Sequence, residues 1–254
     1  METTILGLQN HFNRMYNRRV QHTGGSFPER AGHMIYRVGK IADAERKSER
    51  LPGRLARSVS YFYNVVNFFN GRVDLERGMM YKFPPYGCLY CTHMPCDCND
   101  ATRPDPKDYK LHDEQRGWTL RRWQEHLKTV YGWRHLQGDK FWKIYGRLVS
   151  EVGELSIIQS RGPHTPLRGG MADHQSELEA ADVLSWLLTL AYVRGIDLEQ
   201  EVFDRYQTCP GCNELVCDCD LVFIAPDGQS YSTVGVPGLY ENLKITVAGM
   251  NQIL

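Results

Sequence analysis

Four cysteines spaced C-x-x-C, four residues, C-x-C occur twice, as Cys88, Cys91, Cys96 and Cys98 and again as Cys209, Cys212, Cys217 and Cys219, and they are all the cysteines of the 254-residue chain. A spacing that returns this closely predicts an internal repeat, and two further landmarks recur in the same order. TILGLQNHFNRMYNRR (4–19) aligns without gaps on TLRRWQEHLKTVYGWR (119–134), matching Thr4 with Thr119, Gln9 with Gln124, His11 with His126, Tyr16 with Tyr131 and Arg19 with Arg134. VDLE (73–76) aligns on IDLE (196–199). The chain therefore reads as two copies of a unit of about 100 residues, 1–98 and 118–219, joined by a linker rich in Pro and charge, 99–117. The tail, 220–254, has no counterpart, and β-branched residues on either side of Pro226-Asp227-Gly228 predict a short hairpin there.

Within each copy the periodicity is helical. In the second, Thr119 caps TLRRWQEHLKTVYGW, a helix from near Asp139 runs through KFWKIYGRLVSEVGELSIIQ, and a third from near Ser176 runs to a stop at Gly195. A shorter fourth follows from Asp197, and the Gly- and Pro-bearing RGPHTPLRGGMADHQ between the second and third is a loop. The expected fold is all-α: tandem antiparallel helical bundles, each ending in a small four-cysteine module.

Lysine plus arginine equals aspartate plus glutamate at 30 each, so the net field gives no reason to expect a polyanion or an anionic membrane as partner. The longest apolar stretch, VLSWLLTLAYV (183–193), is too short to span a bilayer, and no basic region followed by an apolar run opens the chain. The chain reads as soluble and cytoplasmic. In a reducing compartment, tight cysteine clusters bind metal in preference to forming disulfides. Four thiolates wrap one tetrahedral zinc ion and leave no open position, so two structural zinc sites are expected, although an iron–sulfur cluster takes the same ligand set. His93 is a spare donor. The cysteine loops hold no lysine or arginine and carry Asp97, Asp100, Asp218 and Asp220, which argues against nucleic acid as partner.

The segment EVGEL places Glu151 and Glu154 three apart among apolar residues at helical spacing, and EAAD places Glu179 and Asp182 in the same way on the following helix. Two antiparallel helices can aim such pairs at one point, where unpaired carboxylates are costly and magnesium, a hard cation that prefers oxygen ligands, offsets the cost. For either pair alone, a solvated face paired with Lys143, Arg147 or Arg194 is explanation enough. Arg147 and Lys143 precede Glu151 by one and two helical turns and share its face, within reach of phosphate oxygens. Arg161 and Arg168 in the loop are further candidate phosphate ligands.

The pattern Glu-x-x-Glu, a loop-bearing interval, then Glu-x-x-Asp resembles the metal signature of the all-α nucleoside triphosphate pyrophosphohydrolases, the group of MazG, dimeric dUTPases and phosphoribosyl-ATP pyrophosphohydrolase. EVGEL, EAADVLSWLLTLA and GIDLE look most like the MazG-like branch, over residues 118–208. The resemblance implies that Glu151, Glu154, Glu179 and Asp182 hold catalytic magnesium and that a nucleoside triphosphate is cleaved to its monophosphate and pyrophosphate, as in clearing a nucleotide pool. Either Glu151 or Glu154 would then act on the attacking water. It also suggests Trp123 and Gln124 on the opening helix, with Trp118 before it, as the nucleoside pocket; packing of Trp123 in the core is the competing expectation.

Aligned by sequence, the first copy has Ile41 and Ala44 opposite the first acidic pair and Ala56 and Val59 opposite the second, and 51–73 contains no Asp or Glu. The first copy therefore lacks the acidic site. The family's habit of pairing subunits implies that the two copies form a pseudo-dimer within one chain, itself compatible with homo-oligomers. Two alternatives stand beside hydrolysis of a nucleoside triphosphate: phosphoribosyl-ATP as the substrate, and a non-catalytic, zinc-bearing interaction protein on the same scaffold.

Overall fold

A computed structural model describes residues 1–23, 27–69, 73–98, 110–160, 174–217, 219, 222–224 and 230–232. The described residues are mostly helical: α1 (Ile5–Thr23), α2 (Phe27–Lys47), α3 (Leu51–Val66), α4 (Leu75–Lys82), α5 (Leu120–His135), α6 (Phe141–Ser160), α7 (Gln175–Val193) and α8 (Leu198–Tyr206). Two three-residue strands, β1 (Val222–Ile224) and β2 (Ser230–Ser232), pair antiparallel with Phe223 opposite Tyr231.

The helix boundaries follow local chemistry. Thr119, Asp74 and Asp197 cap α5, α4 and α8, their side-chain oxygens accepting from the backbone N–H of Arg122, Arg77 and Gln200 at 3.3, 2.9 and 3.1 Å. Gly195, at φ +65°, takes the left-handed conformation that ends α7. Phe141, Ile144, Leu148, Val152 and Leu155 give α6 one buried stripe, whereas α7 is buried nearly all round and forms a central rod.

Each central helix collects neighbours from both ends of the chain. Helix α7 packs against α6, α5 and α4, and α3 packs against α2, α1 and α8, so the short helix of each segment lies on the central helix of the other. Hydrogen bonds recur at repeat-related positions. Gln9 donates to the Val73 carbonyl at 2.8 Å and accepts from the Leu75 N–H at 3.4 Å; Gln124 donates to the Ile196 carbonyl at 2.9 Å and accepts from the Leu198 N–H at 3.2 Å. Thr4 and Thr119 pair with each other in a β-bridge. The helices share one hydrophobic core running from Ile5 to Cys217.

The cysteine segments make the same exchange. The Cys96 N–H donates to the Val130 carbonyl on α5 at 2.8 Å, and the Cys217 N–H donates to the Met15 carbonyl on α1 at 2.7 Å. The first four-cysteine segment thus sits on α5 and the second on α1. Residues 110–117, which the sequence assigns to the linker, dock on the first segment: Gln115 is fully buried and donates to the Phe83 carbonyl at 2.8 Å, and the Gly117 N–H donates to Glu76 at 2.9 Å. Among the described residues no helix is long and apolar enough to cross a membrane.

The α4–α7 contact is close because of one residue. A Cβ on Gly78 would overlap the Glu177 carbonyl oxygen, and beside it the buried Glu177 carboxylate accepts from Arg77 Nε at 2.8 Å and from the Asp74 N–H at 3.1 Å. Backbone cannot yield as a side-chain tip does, so Gly78→Ala should lower the stability measured by denaturant titration by about 1–3 kcal/mol. An unchanged midpoint would contradict the packing described.

Candidate active site

Helices α6 and α7 run side by side and present Glu151 and Glu154 from one and Glu179 from the other. Carboxylate oxygens of these three residues all lie within 4.8 Å of one another. Asp182, the fourth acid of the predicted set, stands apart from this trio: it forms an ion pair with Lys82, the last residue of α4, which also donates to the Leu178 carbonyl at 3.4 Å. The structure thus converges three of the four acids and engages the fourth with a cation from the first segment.

Burial raises the Glu151 carboxyl above its ordinary pKa and the neighbouring Glu154 charge adds to the shift; burial likewise raises Glu179, with Lys82 opposing. Trp186 donates a side-chain hydrogen bond to Glu151, and Ser150 donates to Glu154 at 3.2 Å. An all-oxygen set of three converging carboxylates fits a hard divalent cation such as magnesium.

The acids form one wall of a cavity of about 710 Å³, large enough for a nucleotide. Lys143 and Arg147 are exposed and line it, together with Lys82 and Lys140. Tyr131, His135 and Trp186 add flat surface to its lining. Burial lowers the His135 pKa to about 4, so its ring is neutral at physiological pH; it lies 5.8 Å from the Trp186 ring and bonds to the Tyr192 hydroxyl.

The opposite wall is the first cysteine segment. Cys88, Leu89, Tyr90, Cys96 and Cys98 line the cavity, and the Trp133 indole donates to the Cys96 carbonyl. In each cysteine segment the four sulfurs lie within 4.8 Å of one another and none is in a disulfide. The Cys88–Cys98, Cys209–Cys217 and Cys209–Cys219 sulfur separations are 3.6, 3.4 and 3.6 Å. Thiolates about 2.3 Å from a tetrahedral zinc stand about 3.8 Å apart, so small adjustments seat the ion. Burial opposes ionisation of Cys88, but the backbone N–H groups of Cys91 and Tyr90 prevail and lower its pKa to about 7. Thr92 and Asn213, at φ 59° and 62°, shape the two loops alike. His93 bonds to Asp97 at 2.7 Å.

Of the residues that the sequence offers outside the acidic set, several lie away from the cavity. Trp123 is fully buried in the core against Trp118, and Gln124 is spent on the backbone at the start of α8, so neither lines the cavity. The physical reason is position along the helix: α5 reaches the cavity only from Leu127 onward, with Leu127, Tyr131 and His135 following Trp123 at four-residue steps on the same face. The proposed counterparts of the acids, Ile41, Ala44, Ala56 and Val59, are core residues and do not face any site. Arg161 and Arg168 lie outside the described residues. Lys82 and Tyr90 are cavity residues that the sequence reading missed. Their signal is weak, because spacing within a segment does not disclose that α4 and its cysteine loop cross to the other one.

The raised carboxyls make a prediction independent of turnover. A carboxyl whose pKa is higher folded than unfolded contributes stability in full below the unfolded value, 4.5 for Glu151 and Glu179, and loses it as pH rises through the folded value. A bound divalent cation offsets that loss. Excess magnesium should therefore raise the melting temperature at neutral pH relative to chelator and leave it unchanged at about pH 4, below the unfolded value. Equal shifts at both would argue against metal at these acids.

Comparison with protein families, with curated proteins and with solved structures returns no match to this chain.

Proposed function

We propose that the protein hydrolyses a nucleoside triphosphate to the monophosphate and pyrophosphate with magnesium held by Glu151, Glu154 and Glu179. The observation that carries this reading is the convergence of those three carboxylates in the wall of a nucleotide-sized cavity that also presents Lys143 and Arg147. Bound magnesium screens the triphosphate and lowers the pKa of a coordinated water. The side chains do the rest. Lys143, Arg147 and Lys82 gather the phosphate oxygens, and one of the α6 acids, Glu151 or Glu154, accepts the proton of the attacking water. The water oxygen bonds to the α- or β-phosphorus while the bridging P–O bond between those two breaks. Tyr131, His135 and Trp186 offer faces on which a base can stack.

We read the two segments as tandem MazG-like units paired as a pseudo-dimer, in which the first has no chemistry of its own and completes the pocket of the second. Each cysteine segment then holds one structural zinc. The reduced thiols that zinc needs suit a cytoplasmic setting.

The test is incubation with a panel of canonical and modified nucleoside triphosphates plus magnesium, scoring monophosphate and pyrophosphate. Turnover of at least one substrate, abolished by chelator, is expected; none across the panel would overturn the reading. Lys82→Ala should reduce kcat/KM by about tenfold or more if the first segment serves the pocket, as loss of one charged ligand to phosphate does.

A further inference from the structure

The face of α2 and α3 that corresponds to the acidic face of α6 and α7 is basic. Burial sets the correspondence: Phe27, Met34, Val38 and Ile41 in α2 repeat the buried positions Phe141, Leu148, Val152 and Leu155 in α6, while Ala56, Val59, Phe62 and Tyr63 in α3 repeat Ala181, Leu184, Leu187 and Leu188 in α7. A hydrogen bond agrees with it. Arg37 donates to the Tyr61 hydroxyl at 3.1 Å, where at the repeat-related positions Trp186 donates to Glu151. In this register Arg37, Lys40, Arg54 and Arg57 stand where Glu151, Glu154, Glu179 and Asp182 stand. Arg205, near the end of α8, stands where Lys82 ends α4.

These cations share one locality. The charges of Arg205, Arg37 and Arg54 all act on Arg57, and that of Arg54 acts on Lys40. Ser58 ties the two helices there, its hydroxyl lying 3.3 Å from the Arg37 carbonyl and 3.0 Å from that of Arg54. Lys40 pairs with Asp43 at 2.8 Å and Arg54 approaches Glu49 at 3.5 Å, but among the described residues Arg37, Arg57 and Arg205 have no carboxylate partner. The buried Nε atoms of Arg37 and Arg205 have no hydrogen-bond partner at all. Clustered, half-buried guanidinium groups with unmet donors are costly unless an anion completes them, and their planar forks match phosphate oxygens.

The space below differs from that of the acidic site as well. Phe12 stacks on Tyr16 at 6.3 Å and meets Tyr206 edge-on at 5.2 Å, and both Phe12 and Tyr206 are buried, so rings fill this space. Leu127 and Phe83 hold the repeat-related positions of Phe12 and Tyr206 in the open cavity. The open pocket that could take a base beside the acids is thus closed by rings beside the cations.

We propose that Arg37, Lys40, Arg54, Arg57 and Arg205 form a second, metal-independent site that binds an oligophosphate chain without reading a base. The site stands on charge where the acidic site stands on magnesium, and it does not depend on turnover in the other cavity. The test is calorimetric titration of the full chain, with chelator present, using tripolyphosphate and then ATP. One tripolyphosphate per chain is expected, with ATP binding within about threefold of it and competing for the same site. Arg57→Gln with Arg205→Gln should weaken both by tenfold or more, while Glu154→Gln leaves them unchanged. Lys40→Gln provides a single, more exposed change with a smaller loss in the same direction, should the double variant fail to fold. Absence of binding in chelator, indifference to the basic-residue variants, or ATP binding more than tenfold tighter than tripolyphosphate would each overturn the proposal.

Discussion

Glu151→Gln should reduce turnover by at least about a hundredfold while leaving the protein folded and, without metal, more stable. A residue that ligates the metal or takes the proton of the nucleophile is worth about 10²–10⁴ in rate. The stability change runs the other way because burial and the neighbouring Glu154 charge disfavour the ionised Glu151 carboxylate, a cost that a neutral glutamine does not carry. A rise in melting temperature in chelator together with a collapse of kcat would separate a metal ligand from a merely structural acid. Full activity in the variant would remove Glu151 from the mechanism.

The second large effect concerns the cysteines, and it is asymmetric. Cys96→Ser and Cys217→Ser should each lower bound zinc from two ions per chain to one and cost several kcal/mol of stability, since a structural zinc site contributes its binding energy to folding. Only Cys96→Ser should also depress turnover strongly. Cys88, Cys96 and Cys98 form a wall of the cavity, and the Cys96 carbonyl and N–H engage Trp133 and Val130 beside it. Cys217 instead engages Met15 on α1, on the side of the Phe12–Tyr16 stack. Zinc measured by elemental analysis and kcat/KM measured on the same samples checks both halves of the statement. Equal catalytic loss in the two variants would contradict the exchange of segments.

Local features were readable without coordinates. Thr119 and Asp197 announce their caps, Gly195 announces the end of α7, and the apolar stripe of α6 identifies both its buried side and, by subtraction, the side on which Glu151 lies. Long-range partnership was not. Gln124 sits beside Trp123 on a helix that any pocket-forming argument favours, yet its amide is taken up by two backbone groups more than seventy residues away. Two apolar helix faces of similar period carry no label saying which will meet, so the crossing of α4 to α7 was invisible, and with it the place of Lys82. The register of the repeat suffered from the same blindness. Matching letters puts Ile41 and Ala56 opposite the acids, yet both are fully buried while the acids are not, because letter matching does not register which side of a helix faces inward.

Because α4 rests on α7 and α8 rests on α3, the gene cannot be shortened to its acid-bearing portion without removing part of that portion's own interior. Residues 1–98 and 110–254 made as separate polypeptides would each expose the long helix that the other covers, and would be expected to aggregate alone and to recover order only when mixed. Inheritance of the two portions is tied for the same reason. A lesion at Gly78 or Lys82, outside the stretch bearing the three converging acids, would register as a defect of that stretch, so selection on one segment acts on the other as well.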